Sequence, residues 1–238
     1  RTVARLHPAS LALIKDLAAE QRDRVAVLSS RTLEDIVPRV PVPQAYLGGG
    51  SGLEWRIPGG CRISPGYEAE KKLEEVRKDF LPKLERIGAF PGVELEDKRW
   101  SVSVHYRHVP PDTLSALFAL LDEMKREPAL RLFEGPAVAE VQLFPSVDKS
   151  FGIRRLCHLL SFRPSDGRIF YAGDDENDAV AMRWGLARKG TVFAVGGRVR
   201  VEGARYVDGP VDLAQAVRKL CRMPAAKPGS TRGRRTVS

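Results

Sequence analysis

No run of about 18 consecutive apolar residues occurs anywhere in the chain, which excludes a helical membrane span. No apolar signal-peptide core stands near the start, and the expected setting is the cytoplasm, away from membranes. Cysteine is scarce. Cys61, Cys157 and Cys221 lie far apart with no Cys-x-x-Cys spacing, which argues against structural zinc. Three thiols without a framework fit a reducing compartment. His7, His105, His108 and His158 likewise lack metal-ligand spacing.

What the chain does have is an ordinary globular balance, 43% hydrophobic and 29% charged, over 238 residues. Its net charge of +9 invites a nucleic-acid reading. Residues 224–238 weaken it: Lys227, Arg232, Arg234 and Arg235 stand there with no acid and no aromatic for base stacking. This stretch is expected to be a disordered basic tail, and no nucleic-acid partner is expected.

Residues 8–20 space Leu11, Leu13, Ile14 and Leu17 as a helix. Val25–Leu28 is an apolar run of the kind buried in parallel sheets, closed by Ser29, Ser30 and Arg31. Thr32–Val37 predicts a short helix, and residues 45–54 predict a strand entering the Gly48–Gly52 turn. The middle changes texture. Residues 68–87 predict a charged helix, and 93–107 alternate as one strand. A helix over 111–126 and a hairpin across Gly135-Pro136 follow. The last third alternates again, with helices over 151–160, 178–185 and 211–221 and strands over 168–172, 191–195 and 204–207. Alternation at both ends around an α+β block predicts a doubly wound, Rossmann-like parallel sheet with an inserted domain. The expected division is 1–52 and 144–223 for the core, 53–143 for the insert and 224–238 for the tail.

Three acids crowd one strand end: Asp174, Asp175 and Asp178. In an open α/β sheet, ligands bind at the carboxyl ends of strands. Clustered carboxylates repel unless a cation intervenes, and an oxygen-only set suits Mg²⁺. An acidic helix N-terminus, favoured by the macrodipole, explains the same residues equally well. Ser29 also ends an apolar strand, where its hydroxyl and the next backbone N–H groups could hold an anion. Lys149 precedes a helix and could offset the carboxylates.

The order Ser29, long insert, Lys149, then Gly173-Asp174-Asp175-Glu176-Asn177-Asp178 resembles the haloacid dehalogenase superfamily of phosphohydrolases. Within it, the chain is similar to the trehalose-6-phosphate phosphatase family, from about His7 to Leu220. The added matches are Gly50-Ser51-Gly52-Leu53-Glu54, Glu96-Asp97-Lys98, His105-Tyr106-Arg107 and Val138-Ala139-Glu140. The resemblance implies Mg²⁺-dependent hydrolysis of trehalose 6-phosphate to trehalose and phosphate. By that resemblance, Ser29 hydrogen-bonds the phosphoryl oxygens and Lys149 neutralises their charge. Asp174, with Asp175 alongside, holds Mg²⁺, while Asp178 orients Lys149 or a water. Arg31, Glu96, Lys98, Arg107 and Glu140 hold the substrate, the last four through sugar hydroxyls. Glu96 and Lys98, two apart on one expected strand, also read as a simple surface pair on one face, as do His105 and Arg107.

The family's first motif, Asp-x-Asp-Gly-Thr, is absent from these residues. Its first Asp is the nucleophile that forms an aspartyl-phosphate, and its second the general acid and base. The expectation is an N-terminally truncated core without its first, central strand. The motif would lie upstream, and the chain as it stands would be inactive and fold poorly. Two neighbouring readings share this core. One is another sugar-phosphate phosphatase, for mannosyl- or glucosyl-3-phosphoglycerate. The other is a non-catalytic domain that associates with a trehalose-phosphate synthase.

Overall fold

The computed structural model describes residues 6–20, 24–165 and 168–222. The expected basic tail, 224–238, lies outside the described residues. Among those described, no helix is long and apolar enough to cross a membrane.

Helix α1 (Pro8–Ala19) starts where predicted, with proline in its first turn and His7 accepting the Ala9 N–H as its cap. It packs on the last helix, α7 (Pro210–Cys221), through Leu13, Ala214 and Val217. Strand β1 (Ala26–Leu28) runs parallel to β2 (Tyr46–Gly49). The helix between them, α2 (Leu33–Ile36), is capped by Thr32. β3 (Glu54–Arg56) and β4 (Arg62–Ile63) then add antiparallel to the same sheet, giving the order β1-β2-β3-β4. Strand pairing thus keeps Glu54–Ile63 with the first sheet rather than with the insert expected from residue 53.

After β4 the chain builds a separate α+β body. Helix α3 (Tyr67–Gly88) is followed by β5 (Glu94–Asp97), β6 (Ser101–His105), α4 (Leu114–Lys125), β7 (Arg131–Gly135) and β8 (Val138–Gln142). The strands form an antiparallel sheet in the order β5-β6-β8-β7. Val102, Val104, Ala139 and Val141 turn one way and pack with Leu73, Phe80, Leu84, Ile87, Leu117 and Leu121 of the helices. Side chains alternate along a strand, so the opposite face carries Glu96, Ser101, Ser103, His105, Glu140 and Gln142. That face is polar, yet Ser101, Ser103, Glu140 and Gln142 are buried.

The expected single strand over 93–107 is two strands. The chain reverses at Lys98–Trp100, with Arg99 in the left-handed region at φ 67°. The Asp97 carboxylate accepts the Arg99 N–H at 2.7 Å and closes this turn. Four consecutive polar residues, Glu96–Arg99, interrupt the alternation here, and the apolar positions shift from odd numbers (Val93, Leu95) to even ones (Trp100, Val102, Val104), although no glycine or proline marks the turn.

The remaining elements are α5 (Lys149–Leu159), β9 (Phe170–Gly173), α6 (Glu176–Leu186), β10 (Thr191–Val195), β11 (Arg205–Val207) and α7. β9, β10 and β11 form a parallel sheet in the order β11-β10-β9. The parallel core is therefore in two pieces. Among the described residues, β1 pairs only with β2, and β9 only with β10. Helix α5 connects the pieces. Its Gly152 lies against Leu28 of β1 and the Ser51 carbonyl, and its Lys149 reaches Asp178 of α6. Gly52, at φ 93°, meets Gly152 backbone to backbone, so a side chain on either would hold the helix off.

Candidate active site

α5 begins with an arrangement that helix electrostatics disfavours. Lys149 occupies the first helical position, where the macrodipole is positive, and it is buried. Its ammonium donates to Asp178 Oδ1 at 2.6 Å, and Asp175 lies 3.6 Å away. Burial alone would lower the Lys149 pKa. The charges of Asp178 and Asp175 overcome it, and the pKa is pushed up to about 12. Lys149 is thus a fixed cation at the N-terminus of α5.

Asp148 caps the same helix. It accepts the Phe151 N–H at 3.0 Å and the Ser150 hydroxyl at 2.6 Å, and pairs with Arg131 of β7 at 3.0 Å. Burial opposes ionisation, yet these partners hold the Asp148 carboxyl below the usual range.

The acidic cluster is organised by α6. Asp175 caps the helix by accepting the Asp178 N–H, and Asp178 Oδ2 returns to the N–H groups of Asp174 and Asp175 at 3.1 and 3.3 Å. Asp178 Oδ1 also accepts the Tyr171 hydroxyl at 2.5 Å. Burial raises the pKa of Tyr171, and the adjacent Asp178 raises it further. Gly173 lies directly under this carboxylate, and a Cβ there would collide with it. Burial, with the Asp178 charge, raises the Asp175 pKa to about 6 against the pull of Lys149.

Carboxylate oxygens of Asp174, Asp175 and Asp178 all lie within 4.8 Å of one another. Such an oxygen-only set suits a hard divalent cation. The three acids are not equivalent, however. Both Asp178 oxygens already hold four donors, while Asp174 is exposed. The donor set fits Mg²⁺ with Asp174 as the open ligand, Asp175 beside it and Asp178 as the residue that orients Lys149.

Ser29 ends β1. Its backbone carbonyl accepts the Ser51 N–H at 2.8 Å, and its hydroxyl accepts the Arg31 N–H at 3.2 Å. Ser51 in turn packs on Gly152, within one turn of Lys149. The two residues after Ser29 reach the polar face of the inserted sheet. Ser30 donates to Glu140 Oε2 at 3.2 Å, and Arg31 pairs with Glu96 Oε1 at 3.2 Å.

Glu140 also accepts Lys98 at 3.2 Å and the Ser101 hydroxyl at 3.2 Å. Glu96 contacts His105 Nε2 at 3.1 Å. Burial opposes ionisation of Glu96, but His105, Lys98 and Arg31 together hold its carboxyl below the usual range. The surface pair of Glu96 with Lys98 does not form, because the reversal at Lys98–Trp100 sends Lys98 to Glu140 instead. Arg107 stands apart, exposed in the turn after β6, and Tyr106 interposes between it and His105. Ser101, Tyr171 and Arg131 join the site unannounced by any motif, while Ser30 and Asp148 lie in the matched segments Ser29-Ser30-Arg31 and Asp148-Lys149 without an expected role. Only Asp148, a capping type just before a helix, carried a readable signal.

The arrangement combines a fixed cation at a helix N-terminus with acid–base pairs on the sheet face, groups whose chemistry suits anions and hydroxyls through charge-assisted hydrogen bonds.

Known proteins share this plan. A trehalose-phosphatase family profile matches residues 1–214. The trehalose-phosphate phosphatase of Mycobacterium tuberculosis (strain H37Rv) is 34% identical over 182 residues, covering 74% of this chain and 45% of that protein. That of Mycobacterium marinum is 31% identical over 175 residues, covering 73% and 44%. The chain spans about half the length of these curated relatives. Among solved structures, a trehalose-6-phosphate phosphatase related protein superposes with TM-score 0.68 at 19% identity, over 92% of this chain and 90% of that one. The sucrose-phosphatase of Synechocystis superposes with TM-score 0.60 at 14% identity, over 91% and 93%. The fold is that of haloacid dehalogenase-type phosphatases with a cap, and the chain belongs to the trehalose-phosphatase family.

Proposed function

We propose that this chain belongs to a Mg²⁺-dependent phosphatase that hydrolyses trehalose 6-phosphate to trehalose and phosphate. One observation carries the reading. Core and cap meet here: Lys149 is bonded to Asp178 at 2.6 Å in the core, and Ser30, next to Ser29 at the end of β1, donates to Glu140 of the inserted sheet at 3.2 Å. A ligand with a phosphate at one end and hydroxyls along the other matches that junction.

In this reading the phosphate approaches Lys149 and the N-terminus of α5, and Ser29 donates its hydroxyl to a phosphoryl oxygen. Asp178 and Tyr171 fix the ammonium so that no reorganisation is needed when charge develops. Mg²⁺, when bound at Asp174 and Asp175, supplies charge neutralisation at the phosphoryl group. The body after β4 acts as the cap. Glu96, Lys98, Glu140 and Arg31 take the sugar hydroxyls, and Arg107 reaches the sugar on cap closure.

The nucleophile is proposed to be the first Asp of an Asp-x-Asp-Gly-Thr segment preceding α1, which forms an aspartyl-phosphate. Among the described residues β1 and β9 each have one strand partner, which supports this, since a parallel strand between them would join the two half-sheets. A chain without that strand is proposed to lack turnover. The setting is cytoplasmic, and association with a trehalose-phosphate synthase is part of the proposal.

Phosphate release by the protein carrying its upstream segment decides the substrate. Trehalose 6-phosphate should be cleaved well ahead of sucrose 6-phosphate and of mannosyl- and glucosyl-3-phosphoglycerate. Equal rates across the panel would overturn the assignment.

A further inference from the structure

The polar face of the cap sheet contains one residue that does not match it. Register places Glu96, Ser103, Glu140 and Phe133 side by side in a single row across β5, β6, β8 and β7. Leu132, the neighbour of Phe133, packs into the cap's apolar core, so Phe133 faces the other way. It joins none of the apolar clusters and is only half-buried. A phenylalanine gains little stability in such a place, because burial of its ring is incomplete and its neighbours are charged.

Its surroundings hold it firmly all the same. The guanidinium of Arg131 lies over the ring, 4.7 Å from its centre, and is itself tied to Asp148 at the start of α5. Directly opposite on β8 stands Glu140, anchored by Ser30, Ser101 and Lys98. β7 also runs beside α6, the helix that carries Asp178. The ring therefore stands opposite Glu140, under Arg131, on the strand that runs beside α6.

Hexopyranoses have two kinds of surface. Their rims carry hydroxyls, and their ring faces carry C–H groups that pack on aromatic rings. We propose that Phe133 is a specificity-determining residue, a platform on which the C–H face of a glucose ring packs while Glu140 takes its hydroxyls. Arg131 holds the platform in place. This rests on the sugar-phosphatase reading above and deepens it: the site takes a pyranose ring, not any polyol phosphate.

The test is saturation-transfer NMR on the 238-residue chain, with trehalose as probe and aromatic protons irradiated, followed by titration of affinity. The expected result is transfer to the ring C–H protons of one glucose unit. Phe133→Leu should weaken binding roughly threefold to tenfold. Phe133→Trp should keep it, and Tyr67→Leu, which removes an exposed aromatic on α3, should leave it unchanged. Near-ultraviolet circular dichroism verifies folding. If Phe133→Leu does not fold, intermolecular contacts from the assigned Phe133 ring protons of the unsubstituted chain decide the same question. Binding that Phe133→Leu leaves intact, or absence of contacts from that ring, would overturn the platform while sparing the sugar-phosphatase reading. Failure of both trehalose and trehalose 6-phosphate to bind would overturn that reading itself.

Discussion

Lys149 donates to Asp178 at 2.6 Å, with both side chains buried. Separating a buried pair is far costlier than never making it, because one charge is left alone in a poor solvent. Lys149→Met should lower stability by about 3–5 kcal/mol, and Lys149→Met with Asp178→Asn together by clearly less than the sum of the singles. Thermal denaturation of the four proteins in the cycle measures this coupling. Additive losses would show that the pair is not the unit described.

Gly173→Ala tests the same carboxylate from beneath. The new methyl occupies the space of the Asp178 carboxylate, so Asp178 must turn away from Lys149 and Tyr171. Loss of phosphatase turnover in the protein carrying the proposed upstream segment should exceed tenfold, with a folded circular dichroism spectrum retained. The same activity as the parent protein would mean that Asp178 need not stand where it does.

Asp148 supplies a pH dependence. Its carboxyl titrates below its ordinary value in the folded protein, so its contribution is fully present above the unfolded value near 3.8. That contribution disappears as pH falls through the folded value. Asp148→Asn removes this dependence along with the ion pair to Arg131. Stability of the variant should fall less steeply than that of the parent between about pH 5 and pH 3. At neutral pH, Asp148→Ala should cost about 1–2 kcal/mol through loss of the α5 cap.

Divalent-ion binding follows the inequality among the three acids. Mg²⁺ should raise the unfolding temperature of the parent protein. Asp174→Asn should abolish the rise with little effect on the protein without metal, because Asp174 is exposed. Asp178→Asn should lower stability in both conditions. A full Mg²⁺ response in Asp174→Asn would remove Asp174 from the ligand set.

The alternation of strand and helix was readable because it rests on local periodicity. Val25–Leu28 and Thr191–Val195 are apolar runs of the kind parallel sheets use, although in β1 Ala26 is exposed and Val27 and Leu28 are only partly buried. Asp174, Asp175 and Asp178 were readable because their spacing is that of a helix start. The hairpin at Lys98–Trp100 was missed although the polar run Glu96–Arg99 interrupts the alternation, since Arg99 adopts a left-handed turn that its type does not signal. That turn decides which acid Lys98 meets, and the choice is made by the register of β6 on β8, forty-two positions along the chain. Tyr171 was also hidden. It sits in an apolar strand, and only the fold brings its hydroxyl to Asp178.

The Lys149–Asp178 core and the Glu140–Lys98 cap face are proposed to form one site for one ligand. Calorimetric titration of the 238-residue chain with Mg²⁺ present tests it most directly, using trehalose 6-phosphate, trehalose and inorganic phosphate in parallel. Trehalose 6-phosphate should bind much more tightly than either half, and Glu140→Gln should weaken it while leaving phosphate unaffected. Binding of trehalose 6-phosphate no tighter than inorganic phosphate would contradict it.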